Sequence, residues 1–403
     1  MLSVNENTIQ KQTADSEGIV TFNLPSIAKN GEIKLTCIQE RGNSVSESAK
    51  NLMDGSESQS DSAIRYLQSF KDANGHSPDG KDNMDDDTSA MIAALNFGPG
   101  IVHIRPGYYR IGNVTIPEKV ILVGSGGSTI IRSNGAKRIF NQSGINHWAI
   151  RDLVLDGETR FGADSNSDVG MQSIYDKDGN SIPDNGKTGL FIDRCYDFEI
   201  ENVSAHHFEG KAVEISRSNL SLAAFCDGGT IHHLTLYHNY AGIVFSERAE
   251  YITATHIKSY RNVYGCIING GNITIGESTF CTNETGILLQ DKENGSHGAV
   301  VNCLINHNMK YAILAKNVYN GHNFVGCSIF DATLKMENCR GIKIASGTID
   351  CSIVIDCNET NMISGNFISN SYMKTCKISP STIVKDNFEV KGAWIPTFVG
   401  KRT

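Results

Sequence analysis

Ten side chains in this 403-residue sequence have types and spacings that could do chemistry. Five are carboxylates: Asp156, Asp193, Glu214, Asp227 and Glu247. Hydrolysis of a glycosidic bond needs two carboxyls roughly 5–9 Å apart, one as proton donor and one as base or nucleophile. The other five are His207, Tyr237, His238, Tyr260 and Arg261. Tyrosine faces stack on sugar rings, and His and Arg donate to hydroxyls or carboxylates. The same set could take a proton from a uronic acid, provided a cation neutralises its carboxylate. An ordinary turn ladder would also stack like residues for packing, and any one of these carboxylates could simply be solvated or paired with Arg.

What must position these groups is a repeat running from Gly189 to about Tyr372. Short apolar runs open on a small residue at Gly189, Ala212, Gly242, Gly265, Gly286 and Ala312, spaced 23, 30, 23, 21 and 26 residues apart. Each is followed by two further short runs, then by polar residues and Asn. Runs this short, without a 3.6-residue period, suit strands and not helical repeats. One such unit cannot bury its apolar face alone, so units must stack. Three strands per coil make a parallel β-helix with coils about 4.8 Å apart. The long period is assigned to an insertion around Ser218–Gly229.

Alternation along the first strand sends Leu190, Val213, Ile243, Cys266, Ile287 and Ile313 inward, with Ile192, Ile215, Phe245, Ile268, Leu289 and Ala315. Phe191, Glu214, Val244, Ile267, Leu288 and Leu314 point outward. That column is apolar at five of six positions, so it needs a cover, and a second copy of the chain or a folded-over loop would serve. Glu214 is its only charge, in surroundings that suit a proton-holding general acid. Asp193 and Glu247 end flanking first strands, Asp227 lies in the insertion, and Asp156 and Glu158 border a long loop at about 157–188. At the turn after the third strand the alignment stacks His207, His238, Arg261, Asn283 and His307. Beside them run His206, Tyr237, Tyr260, Thr282 and Asn306.

The net charge of −8 argues against nucleic acid as a partner. No apolar run is long enough to span a membrane, and the N-terminus lacks a charged-then-apolar signal sequence, so synthesis in a cytoplasm is expected. Eleven cysteines with no CxxC read as reduced core hydrophobes, with no disulfide frame and no metal site. No phosphate-binding or nucleophile-elbow motif is present, and no cofactor is called for.

Residues 1–60 read as a small head or linker, with strands at Ile19–Leu24 and Glu32–Ile38. Ala63–Phe70 reads as a short helix, and about 85–96 as a helix with Asp87 or Thr88 as N-cap, placed to close the end of the stacked core. Asp86, Asp87, Thr88 and Ala90 open this stretch, which continues with Gly100, Val102, Ile104, Pro106, Gly107, Tyr109 and Ile111, then Gly124 and Gly126. This pattern resembles the opening of pectate-lyase-like right-handed β-helices, and is most similar to bacteriophage tailspike and capsule-depolymerase proteins. The tail at 391–403 resembles the start of a small β-module of phage tail proteins.

The expected architecture is therefore all-β: a single-stranded right-handed parallel β-helix over 61–390 with an N-terminal capping helix. The resemblance implies a homotrimer on a virion tail, made in a host cytoplasm and acting outside the cell, with attachment to a baseplate or adaptor through the head. It implies a bacterial surface polysaccharide, capsule or O-antigen, as ligand, and usually its cleavage. Hydrolysis through the carboxylates is the leading expectation. Elimination through the His, Tyr and Arg column is the alternative, and a non-catalytic receptor-binding tail protein is the third.

Overall fold

The computed structural model describes residues 64–72, 74–81, 85–158, 181, 183–216, 225–246, 248–292, 295–369, 371 and 373–389, and the backbone of four strands within 2–49. The chain divides into two compact units, Met1–Asp61 and Ser62–Thr403. In the first, strands Leu2–Val4, Asn7–Gln10, Ile33–Ile38 and Ser44–Ala49 form one antiparallel sheet. The expected strand at Ile19–Leu24 lies outside the described residues, as does the tail at 391–403.

The second unit is a parallel β-solenoid of about 11 turns, with three strand columns. The first column holds Thr188–Asp193, Lys211–Ser216, Ala241–Phe245, Tyr264–Ile268, Thr285–Gln290 and Tyr311–Lys316. Its register aligns Leu190, Val213, Ile243, Cys266, Ile287 and Ile313 as read from sequence. None of these is more than 1% exposed. Stacked apolar columns of this kind replace a globular core, and each coil buries its face only against its neighbours.

Corners are single residues with positive φ. Asp152, Asn202, His233, His256, Glu277 and Asn302 turn the chain between second and third strands, and His207, His238, Arg261, Thr282 and His307 turn it after the third. Inside the second corner runs a ladder of buried asparagines, Asn239, Asn262, Asn283 and Asn308, each accepting the preceding rung's backbone N–H at its Oδ1. This ladder explains the small residues that open the coils. A Cβ on Gly265 would sit 2.6 Å from the Gly286 carbonyl oxygen and 2.7 Å from Asn283 Nδ2.

The helix Thr88–Asn96 sits near the N-terminal end of the solenoid and buries Ala90, Met91, Ala94 and Leu95. Its N-cap is Asp87, whose carboxylate accepts the Arg110 N–H at 3.1 Å and makes no cap bond to the helix. That task passes to Asp86, whose Oδ1 accepts the Thr88 N–H at 3.0 Å.

Three local readings change. The helix expected at Ala63–Phe70 is instead a strand, Arg65–Tyr66, and a 3-10 turn, Leu67–Ser69. Pairing of Arg65 with Val102 overrides its helical propensity. Cys226–Asp227, placed in an insertion by sequence, is a strand of the solenoid paired with Ala249 and Glu250. Asn283 leaves the outer turn column for the inner ladder, and Thr282 takes its place.

The outward column Val244, Ile267, Leu288 and Leu314 is 2–9% exposed within the single chain, packed with Tyr240, Tyr264 and Tyr311. A second copy is not needed to explain its apolar character. Ten cysteines among the described residues are free thiols, eight of them buried.

Candidate active site

One column of the third sheet collects most of the candidate chemistry. Register carries it from Arg110 to Arg132, Asp156, His206, Tyr237, Tyr260, Cys281 and Asn306. These side chains all leave the sheet on the same outer face, because equivalent positions on paired strands share a side. His207, His238 and Arg261 occupy the adjoining corner column. A positive φ is costly for residues other than Gly, and Gly would turn this corner without strain.

The centre of the column is buried and tightly connected. Asp156 Oδ1 lies 3.5 Å from His206 Nδ1 and 3.4 Å from His207 Nδ1. The two Nδ1 atoms are 2.8 Å apart. His207 Nε2 lies 3.4 Å from His238 Nδ1. On the other side Arg132 Nε is 3.6 Å from both Asp156 Oδ2 and Glu158 Oε1. Arg110 grips Glu158 with two guanidinium nitrogens, one of them at 2.7 Å. The Glu158 N–H donates to Asp156 Oδ1 at 2.9 Å. Burial alone would push the Asp156 carboxyl up. Hydrogen bonds from His206 and His207, the charge on His206 and the Glu158 amide outweigh burial and hold it well below the usual carboxylate range.

Aromatic rings continue the column. His206 lies 4.7 Å from Tyr237 between ring centroids, and Tyr237 stacks on Tyr260 at 5.2 Å. Burial pushes the Tyr260 hydroxyl up. Arg261 has no acidic partner among the described residues and stands beside His238, whose N–H donates to the Arg261 carbonyl at 3.1 Å. Cation, imidazole and phenol groups are thus offered on adjacent coils.

Among the remaining carboxylates, Glu214 and Asp193 sit elsewhere with partners of their own. Glu214 is in the first sheet, between Phe191 and Val244, and pairs with Lys211 at 3.3 Å. Lys211 also holds Asp184 at 3.2 Å, so Glu214 is one member of an ion chain. Asp193 is buried and accepts from Ser143 Oγ and Arg194 Nε, each at 3.1 Å. Asp227 lies at the start of the second sheet beside Glu250. Glu247 lies outside the described residues. Sequence alignment missed Arg110 and Arg132, since the coil pattern was followed only from Gly189 onward. It named Asp156 and His207 without placing them together. The signal available was the 50-residue offset that stacks Asp156 on His206 once the first coils are included.

No protein-family model matches the sequence, and no curated protein matches it. Solved structures do match in fold. The A-module of mannuronan C-5 epimerase AlgE6 from Azotobacter vinelandii is 17% identical, covers 81% of this chain and 99% of its own, and has a TM-score of 0.53. The tailspike gp49 of Acinetobacter baumannii bacteriophage Fri1, a capsular polysaccharide depolymerase, is 9% identical over 89% of this chain and 65% of its own, with a TM-score of 0.55. DFA-IIIase from Arthrobacter chlorophenolicus A6, in complex with GF2, is 13% identical over 81% and 93%, with a TM-score of 0.53. These are right-handed β-helices, and this chain shares that fold. At such identities the likeness concerns the fold alone.

Proposed function

We propose that this protein binds an acidic bacterial surface polysaccharide along the Asp156–Tyr260 column and cleaves it by β-elimination. The supporting observation is the arrangement around Asp156. The two carboxylates there are already engaged, Asp156 with His206, His207 and Arg132, and Glu158 with Arg110. Neither is placed to hold a proton, as a hydrolytic general acid must. Acid–base work then falls to the imidazoles and phenols.

In this reading Tyr237, as phenolate, takes the proton from the carbon next to the uronate carboxylate. That C–H bond breaks, a C=C bond forms, and the bond to the leaving glycosidic oxygen breaks as the Tyr237 phenol passes its proton to that oxygen. Arg261, which has no acidic partner among the described residues, neutralises the carboxylate as charge builds on the carbon. Tyr260 offers a ring face to the next sugar. The same proton removal, followed by return of a proton to the opposite face instead of loss of the leaving group, would invert the carbon, which is the reaction named for the epimerase of similar fold.

That the tailspike of similar fold is a capsular polysaccharide depolymerase and the epimerase acts on mannuronan supports a polysaccharide ligand. Trimeric assembly, a virion tail location and attachment through residues 1–60 to a baseplate or adaptor belong to the same proposal. No helix among the described residues is long and apolar enough to cross a membrane.

The test is a panel of purified capsular and O-antigen polysaccharides, assayed for new reducing ends and for the ultraviolet absorbance of an unsaturated uronate. Both signals together support elimination. Reducing ends without absorbance return the assignment to hydrolysis and to Glu214, Asp227, Asp193 and Glu247. Deuterium uptake from heavy water without cleavage means epimerisation. Binding with none of these signals means a receptor-binding protein.

A further inference from the structure

Three atoms at the head of the column face one another: Asp156 Oδ1, His206 Nδ1 and His207 Nδ1, at 2.8, 3.4 and 3.5 Å. A proton on one Nδ1 bridges the 2.8 Å edge and leaves the other two edges, at 3.4 and 3.5 Å, to weaker contacts. If one Nδ1 donates to the other, the accepting nitrogen has its lone pair engaged and also faces a carboxylate oxygen. If both are protonated, two N–H groups stand 2.8 Å apart. A single cation at the centre satisfies all three edges. Ligands about 2.1 Å from one metal ion lie roughly 3–3.4 Å from one another, close to the spacing observed.

We propose that Asp156 Oδ1 and the Nδ1 atoms of His206 and His207 form a binding site for one divalent transition-metal ion, with a coordination position left for a sugar carboxylate. Two imidazoles select zinc, cobalt, nickel or iron over calcium and magnesium, which prefer all-oxygen sites. The outer contacts fit a ligand set. Metal-bound imidazoles usually donate their second N–H, and His207 Nε2 faces His238 Nδ1 at 3.4 Å. Asp156 turns its other oxygen to Arg132. The Asp156 side chain is 4% exposed, whereas His206 and His207 are 12% and 20% exposed, so the site opens on the imidazole side.

Charge supplies the link to substrate. With neutral imidazoles, Asp156 and Glu158 balance Arg110 and Arg132. A bound dication then leaves a local excess of positive charge that a uronate carboxylate would complement. The role in neutralising that carboxylate rests on the elimination reading, whereas the site itself does not. Sequence reading assigns no metal ligands here, because Asp156 stands 50 residues before His206.

A second cluster, Glu199, Glu201 and His232, has similar composition. It is already bridged by Arg151, at 2.7 Å to Glu199 and 3.3 Å to Glu201, and serves as the control.

The experiment uses the full chain without an affinity tag, stripped with chelator. Equilibrium dialysis against zinc gives stoichiometry, and cobalt titration followed by visible absorbance reports nitrogen ligation. Saturable uptake of one zinc per chain is expected, with no comparable uptake of calcium. His207→Ala and Asp156→Asn should weaken it by roughly tenfold or more, and His232→Ala should not. No saturable uptake by the wild-type chain, or uptake unchanged in His207→Ala and abolished in His232→Ala, overturns the proposal. Should His207→Ala fail to fold by circular dichroism, X-ray absorption on the cobalt-loaded wild type decides: two imidazoles in the coordination sphere support the site, and none overturns it. Metal uptake without polysaccharide cleavage keeps the site and removes the elimination reading. Cleavage indifferent to chelator, with no uptake, does the reverse.

Discussion

The ring of Tyr237 lies 5.2 Å from that of Tyr260 with 6° between their planes. Parallel rings on adjacent coils share one function as a surface but differ in neighbours. Tyr237 touches the His206 ring, whereas Tyr260 sits one coil further from Asp156. Tyr237→Phe keeps the stacked surface and removes only the hydroxyl. Turnover should fall about 10²–10³-fold with little change in KM, as expected when a proton-transfer group is lost. Tyr260→Ala should instead raise KM by roughly tenfold and leave kcat within a few-fold. Steady-state kinetics on the polysaccharide found by panel screening checks both. Equal losses in the two variants would remove the distinction between base and platform.

The coil architecture was legible because its signals are local. Small residues open each first strand, and alternation identifies the inward columns, such as Leu190, Val213 and Ile243, whose register the structure repeats. The site was only half legible. His207, Tyr237, His238, Tyr260 and Arg261 could be stacked from the repeat, but Arg110, Arg132 and Asp156 belong to coils before Gly189, where a long loop hides the period. Asn283 was displaced by one position because an asparagine reads equally well as a surface turn or as a buried rung. Only the hydrogen bond from the Asn262 N–H to Asn283 Oδ1 decides between them. Glu214 drew attention as a charge among apolar neighbours, and Lys211, three residues earlier, was the overlooked partner.

The asparagine ladder makes a stability prediction. Asn262 is fully buried, accepts the Asn239 N–H at 2.9 Å and donates to the Leu236 carbonyl at 3.1 Å. Asn262→Ala removes these bonds, together with those to Asn239 Nδ2, Ser259 Oγ and Asn283 Oδ1, and takes the side-chain acceptor away from the buried Asn239 N–H. The loss should be about 2–4 kcal/mol. Asn262→Asp keeps the acceptor but removes the donor and buries a charge, so at neutral pH it should cost more than alanine. Urea unfolding of the two variants at matched pH measures the order. An aspartate variant as stable as wild type would mean that the rung is open to water.

Asp87 should make the fold more stable in mild acid. Burial, opposed by the Arg110 amide and reinforced by the charge of Asp85, raises its carboxyl from 3.8 to about 6. Between these values the folded chain binds more protons than the unfolded chain. Stability from this group therefore falls as pH rises from about 4 to 6, and the deficit persists above 6. Asp87→Asn retains an acceptor for the Arg110 N–H and removes the charge. It should raise stability at pH 7 by about 2 kcal/mol and add little at pH 4. Thermal unfolding across that range checks it.

His322 has the opposite sign. It is 1% exposed, its Nδ1 lies 2.8 Å from Ser296 Oγ, and burial with the nearby His297 charge lowers it from 6.5 to about 3. Below 6.5 the unfolded chain takes a proton that the folded chain refuses. Stability from this group is therefore complete above 6.5 and is lost as pH falls toward 3, by about 1.4 kcal/mol per pH unit. Between pH 4 and 6 this loss opposes the gain from Asp87, so the wild-type profile hides both. His322→Gln should leave the Asp87 slope visible, with stability rising on acidification. Asp87→Asn should leave the His322 slope, with stability falling. Parallel profiles for the two variants would mean that at least one of these side chains meets water in the folded chain.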